Sequence, residues 1–322
     1  MTAWLLSGLG LFILLLAGDA LVRGAVNLSL RLGVPALIVS LTIVAFGTSA
    51  PELLISIKAV QENAPGIALG NVVGSNTANI LLVLGVPALL ATLHTSECNS
   101  RRNYVFMLLA SLLFIGLAFC GTFTWVSGLI LLAALSLVLF NAFRQARAHR
   151  KLCGKADEDD DLEELDGLED ADPDMPYWRI GIYLVLGLIG LPMGAHLLVD
   201  NATIIARTYG VSETVIGLTL VAIGTSLPEL ATTVMAALRR QADVALGNVI
   251  GSNMFNLLAI VGIATLVGPI PVDPEFLEFD LWVMLGASLL LIPFVFFKRD
   301  ITRTWGVALT LLYAVYLIAV LV

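Results

Sequence analysis

Apolar stretches follow one another along most of the chain, separated by short polar breaks. A helix that crosses a bilayer needs about 20 mostly apolar residues. Ten segments meet that length, at 3–28, 36–60, 67–91, 104–121, 125–146, 179–203, 212–238, 243–267, 280–297 and 303–321. Lipid offers no partner to backbone N–H and C=O groups, so each segment is predicted to be helical. The expected fold class is therefore an all-α polytopic membrane protein with ten transmembrane helices. The N-terminal stretch has no basic flank and no clear cleavage site, which makes it a retained first helix rather than a signal peptide.

The basic residues orient these spans. With the N-terminus outside, 15 of the 17 Lys and Arg fall on the inner side, and only Lys58 and Arg207 fall outside. Positive charge is enriched in cytoplasmic loops, so both termini are expected outside, in a plasma membrane, the bacterial inner membrane fitting best. Composition agrees: 58% of the 322 residues are hydrophobic and 13% charged, too few charges to coat a water-soluble globule. The net charge of -8 comes from one place, since the run Asp157 to Asp174 holds 12 of the 25 acidic residues. It is expected to be a solvated cytoplasmic linker (151–178) between a first unit (1–150) and a second (179–322). The run lacks the ligand pattern of an EF-hand loop. Cysteine and histidine spacing suggests neither a disulfide framework nor a zinc site. Nothing points to a nucleic-acid partner or a cofactor.

The polar residues inside the spans recur. Residues 33–85 align with 210–262 without a gap, at an offset of 177, and 24 of the 53 positions are identical. The matches include GTSAPE over GTSLPE and GNVVGSN over GNVIGSN. Apolar composition alone does not reproduce Gly, Asn, Ser, Pro and Glu at each special position, so the chain reads as a duplication of five helices. Five is odd, so the second copy must enter the membrane from the opposite face. Inverted repeats of this kind are common in secondary transporters.

Each GTSxPE segment gathers oxygen. Pro51 and Pro228 have no N–H, which frees the carbonyls of Gly47 and Gly224. The hydroxyls of Thr48, Ser49, Thr225 and Ser226 lie beside those carbonyls. Glu52 and Glu229 add one carboxylate per half. Hard cations such as Na+ and Ca2+ take oxygen ligands. A carboxylate within a span needs a cation, a proton or a water-filled cavity to offset its desolvation. A proline kink with back-bonded hydroxyls explains the Pro, Ser and Thr but not the twin glutamates. In the partner motifs, Asn71, Ser75 and Asn79 share one helical face, as do Asn248, Ser252 and Asn256. Gly70, Gly74, Gly247 and Gly251 suit close helix packing.

These paired motifs resemble the two alpha repeats of the cation/calcium exchanger superfamily, most closely its prokaryotic sodium/calcium antiporter branch. The resemblance covers nearly the whole chain. It implies cation positions between the second, third, seventh and eighth helices, with Glu52 and Glu229 as central ligands for Ca2+ and Na+. Thr48 and Thr225 would help bind calcium, and Ser49, Ser75, Ser226 and Ser252 would flank it with sodium sites. The carbonyls of Ala45 and Ala222 would complete these, with Asn79 and Asn256 nearby. It further implies that the first and sixth helices slide over this core. There Asp19–Arg23 and His196–Asp200 read as interfacial anchors rather than ligands. Some relatives carry aspartate at the position of Asn79 or Asn256; asparagine at both argues against potassium dependence. The expected function is Na+/Ca2+ antiport. A Ca2+/H+ antiporter using the same glutamates is the alternative, and an intramembrane acidic protease or a receptor fits less well.

Overall fold

The computed structural model describes residues 2–96, 98–153, 172, 174–210, 222–274 and 276–321. Among these residues twelve helices occur in order: α1 (Thr2–Leu32), α2 (Ala36–Thr48), α3 (Ala50–Gln61), α4 (Pro65–Leu90), α5 (Arg101–Ala118), α6 (Trp125–Cys153), α7 (Tyr177–Thr208), α8 (Ala222–Thr225), α9 (Leu227–Leu238), α10 (Ala242–Val267), α11 (Phe276–Phe296) and α12 (Arg303–Leu321). Eight of these are long and apolar enough to cross a membrane among the described residues. The pair α2 and α3, bent by 42° at Ser49, makes a ninth. The short α8 and α9 occupy the second part of the expected seventh span; its first part, and nearly all of the acidic run, lie outside the described residues. Several helices run a few residues past their predicted ends. The α1 helix reaches Leu32 and α7 begins at Tyr177, because a helix continues through polar caps that hydropathy excludes.

Two helices form the centre. The apolar windows of α4 and α10 are 78% and 89% buried, against 22% for α7 and 17% for α12. The outer helices turn large apolar side chains outward, among them Leu5, Phe12, Leu137, Phe140, Ile189 and Leu311. An exterior with this many exposed large apolar side chains suits lipid.

The α1 and α7 helices pack antiparallel along their length through small residues. A Cβ on Gly194 would lie 2.9 Å from the Leu14 nitrogen, and one on Gly187 would lie 2.6 Å from the Leu21 Cβ. Small residues let spanning helices approach closely where lipid supplies no hydrophobic drive. Asp19 on α1 accepts from Arg23, 3.0 Å away, and pairs also with Arg239 at the end of α9. The reading of Asp19–Arg23 as an anchor thus gains a partner from the other half.

The loops sort into two ends. At one, Leu93 bridges Ile301, Arg101 stacks over Phe296, and Tyr177 donates to the Arg31 carbonyl. Asp172, near the end of the acidic run, donates its N–H to Asn27 at 2.8 Å. Asp300 joins this end by accepting the Ser96 N–H at 3.0 Å and meeting the His94 Nδ1 at 3.0 Å. Partial burial pushes its carboxyl up, but the bonds from Ser96 and the nearby His94 outweigh burial and hold it below its ordinary value. At the other end, β1 (Thr122–Phe123) pairs antiparallel with β2 (Ile270–Pro271), and Val60 packs beneath Gly268.

Candidate functional site

Proline breaks the two motif segments at equivalent points. Ser49 has φ -83°, ψ 4°, and Ser226 has φ -87°, ψ 5°, neither helical. Below each break the helix restarts with proline in its first turn, followed by Glu52 or Glu229. Leu53 then donates to the Ser49 carbonyl at 3.2 Å, and Leu230 to the Ser226 carbonyl at 2.9 Å. Further on, Asn63 and Arg240, again 177 apart, both adopt the left-handed region with φ 58° and 55°. The backbone thus repeats as the sequence does.

Both carboxylates are interior, each residue 1% exposed. The two motif segments touch directly, since Ser49 donates its hydroxyl to Glu229 Oε1 at 3.4 Å. Thr48 stands at the junction: its hydroxyl lies 3.3 Å from the Ala45 carbonyl, 3.3 Å from Asn248 Oδ1 and 3.4 Å from Ser252 Oγ. Close packing makes this possible. A Cβ on Gly251 would sit 2.5 Å from the Leu41 carbonyl, and one on Gly247 would sit 2.8 Å from the Leu37 carbonyl. Glycine therefore lets α10 lie against α2 backbone to backbone. Ser40 seals the contact, donating to the Val244 carbonyl at 2.6 Å.

Of the expected site residues, Ala45, Thr48, Ser49, Glu229 and Ser252 meet through these contacts. Ser75 is buried on α4. Thr225 ends α8 and Ala222 begins it, in a segment that packs against α4. Asn79 donates its Nδ2 to Asn253 Oδ1 at 3.0 Å. Among the described residues, several buried polar atoms here have no hydrogen-bond partner: Glu52 Oε2, Glu229 Oε2, Ser226 Oγ, Asn79 Oδ1 and both amide atoms of Asn256. Buried polar groups are normally satisfied. The open oxygens among them, on buried residues of both halves, are ligands of the kind that hard cations take.

Sequence reasoning placed Asn71 and Asn248 on the polar faces without assigning them a task. In the structure Asn71 Nδ2 donates to the Glu52 carbonyl at 3.2 Å and to Ser56 Oγ at 3.1 Å. Asn248 Nδ2 does the same to the Glu229 carbonyl at 3.3 Å and Thr233 Oγ1 at 3.1 Å. They clamp the glutamate-bearing helices α3 and α9 against α4 and α10. Asn76 and Asn253 were passed over. They bond to each other's backbone, Asn76 Nδ2 to the Asn253 carbonyl at 3.2 Å and Asn253 Nδ2 to the Asn76 carbonyl at 3.4 Å. Their recurrence within the repeated GSN triplet was the available signal.

The model of the sodium/calcium exchanger protein family matches residues 2–144 and 180–322, nearly the whole chain and both halves. The chain belongs to the sodium/calcium exchanger family. Relatives in the family include the sodium/calcium exchanger MaX1 of Methanosarcina acetivorans, 35% identical over 343 residues, with 96% of each chain covered. The putative antiporter CaxA of Alkalimonas amylolytica is 37% identical over 285 residues, covering 88% of this chain and 86% of its own. Among solved structures, the sodium-calcium exchanger NCX_Mj soaked with zero Na+ and Ca2+ superposes with a TM-score of 0.82 at 30% identity, covering 99% of this chain and 98% of that one. This member of the sodium/calcium exchanger family is thus a multi-pass membrane antiporter of cations, and not an enzyme.

Proposed function

We propose that the protein exchanges Na+ for Ca2+ by alternating access, with Glu52 and Glu229 as the shared central cation ligands. The observation that carries this reading is a pair of interior carboxylates, one from each half and each with an oxygen left open, where Ser49 of one motif reaches Glu229 of the other. Thr48, Thr225, Ser49, Ser226, Ser75 and Ser252 supply flanking oxygens, with the carbonyls of Ala45 and Ala222 and the amides of Asn79 and Asn256. Two carboxylates balance one Ca2+ or two Na+, so the ions compete for the same oxygens. Binding of one then displaces the other, and the differential affinity of the two access states drives exchange. Charge compensation lets the loaded core pass the barrier.

We infer ten spans in two inverted five-helix units, 1–150 and 179–322, joined by a cytoplasmic linker, 151–178, with both termini outside. The reciprocal Asn76–Asn253 bonds support an internal twofold, because a self-complementary contact between equivalent residues is what such an axis produces. The loop pairings Leu93–Ile301 and Phe123–Ile270, at opposite ends, fit the same axis.

In proteoliposomes, an imposed sodium gradient drives 45Ca2+ uptake by the wild type, and Glu52→Gln or Glu229→Gln abolishes it. Normal uptake by either variant rejects this site. A pH gradient imposed without sodium separates the two couplings: uptake under that gradient alone assigns the protein to Ca2+/H+ exchange, for which the open Oε2 atoms would be the proton acceptors.

A further inference from the structure

The asparagines that join the halves leave no choice of orientation, and that has a consequence for the cation site. A backbone carbonyl only accepts. Asn253 Nδ2 is committed to the Asn76 carbonyl, and Asn76 Nδ2 to the Asn253 carbonyl. The Oδ1 of each is therefore an acceptor for something else. On one side that acceptor is used: Asn79 donates its Nδ2 to Asn253 Oδ1 at 3.0 Å. With Nδ2 fixed on Asn253, Asn79 holds its Oδ1 on the opposite side of the amide, and that oxygen is buried without a partner among the described residues. On the other side the equivalent bond is not made. Asn76 Oδ1 and both amide atoms of Asn256 have no partner among the described residues.

We propose that Asn253 and Asn76 are positioning residues that set the polarity of the cation site. Asn253 holds Asn79 with its carbonyl oxygen, not its NH2, facing the bound ion, and Asn76 does the same for Asn256 once a cation draws the Asn256 oxygen inward. A primary amide presents an attractive oxygen or a repulsive NH2 according to a half-turn of its terminal torsion. A fixed donor–acceptor chain running back to a backbone carbonyl removes that ambiguity. The present arrangement has one arm engaged and one released, so the two halves differ at this contact.

This inference rests on the proposed ion exchange and is tested by equilibrium binding, which needs no turnover. 45Ca2+ binding and its displacement by Na+ are measured on detergent-solubilised protein for wild type, Asn253→Leu, Asn79→Ala and the double variant. Asn253→Leu is expected to raise the apparent Kd for at least one of the two ions by about tenfold, the scale of one lost hydrogen bond of this kind. In the Asn79→Ala background the same change is expected to add nothing, because the residue through which Asn253 acts is gone. Additive effects, or unchanged affinities in Asn253→Leu, overturn the proposal. Asn253→Ser, which keeps a hydroxyl near Asn76 but withdraws the acceptor from Asn79, enters the same cycle if the leucine variant does not fold. Glu52→Gln is the control: retained 45Ca2+ binding there defeats the exchange reading itself, whereas lost binding with an additive cycle defeats only the role of Asn253.

Discussion

Thr48 and Asn248 show how a few side chains bind the halves together. Thr48 touches Ala45 in its own segment and Asn248 and Ser252 across the interface. Asn248 in turn holds the carbonyl of Glu229, the residue whose side chain Ser49 reaches. Removing one partner from such a buried chain leaves several groups unpaired, and each orphan costs its full desolvation. Asn248→Ala, which removes the amide donor from the Glu229 carbonyl and the Thr233 hydroxyl and the acceptor from Thr48, is expected to destabilise the protein by about 1–3 kcal/mol. Thermal unfolding in detergent should show it as a clear fall in Tm. The motif glycines, prolines and glutamates could be read from the sequence because each has a chemical signature that repeats. Asn76 and Asn253 could not be assigned a task, because nothing in a string of letters says which faces of two helices 177 residues apart will meet.

At the scale of elements, hydropathy located the long helices well and their interruptions less well. The break at Ser49 was legible from Pro51, since a missing N–H has a local consequence. The π-helical turns at Ser40–Val44 and Phe255–Ile260 were not. They shift the register of side chains by about 100° per inserted residue, and only packing against a neighbour decides whether that shift is favourable. Of the four motif glycines expected to serve close approach, Gly247 and Gly251 do so where α10 meets α2, whereas a Cβ on Gly74 would meet nothing within 4 Å and one on Gly70 only the Phe276 ring at 4.0 Å. A methyl at Gly251 collides with the Leu41 carbonyl and the Ala45 Cβ, both in the segment that carries Thr48. Gly251→Ala is expected to cost about 1–3 kcal/mol by overpacking and to lower ion affinity along with stability. Parallel measurements of Tm and of 45Ca2+ binding check this; a variant as stable and as tight as wild type contradicts the contact.

For the whole molecule, the proposed topology makes its own prediction. Reporters of sidedness fused to the N-terminus and the C-terminus should both signal the extracytoplasmic face, and a reporter inserted in the acidic linker the cytoplasm. Opposite signals from the two termini would mean an odd number of spans and would remove the basis for the inverted repeat. What the sequence determined by itself was the class of molecule, the duplication and the chemistry within it. Hydropathy, proline and carboxylate burial are local costs that any bilayer imposes on the residues that bear them. What only the tertiary structure decided was which polar atoms close on one another and which stay open. That outcome depends on the approach of α2 to α10 and on the Asn76–Asn253 contact, both set by the packing of distant segments rather than by any one of them.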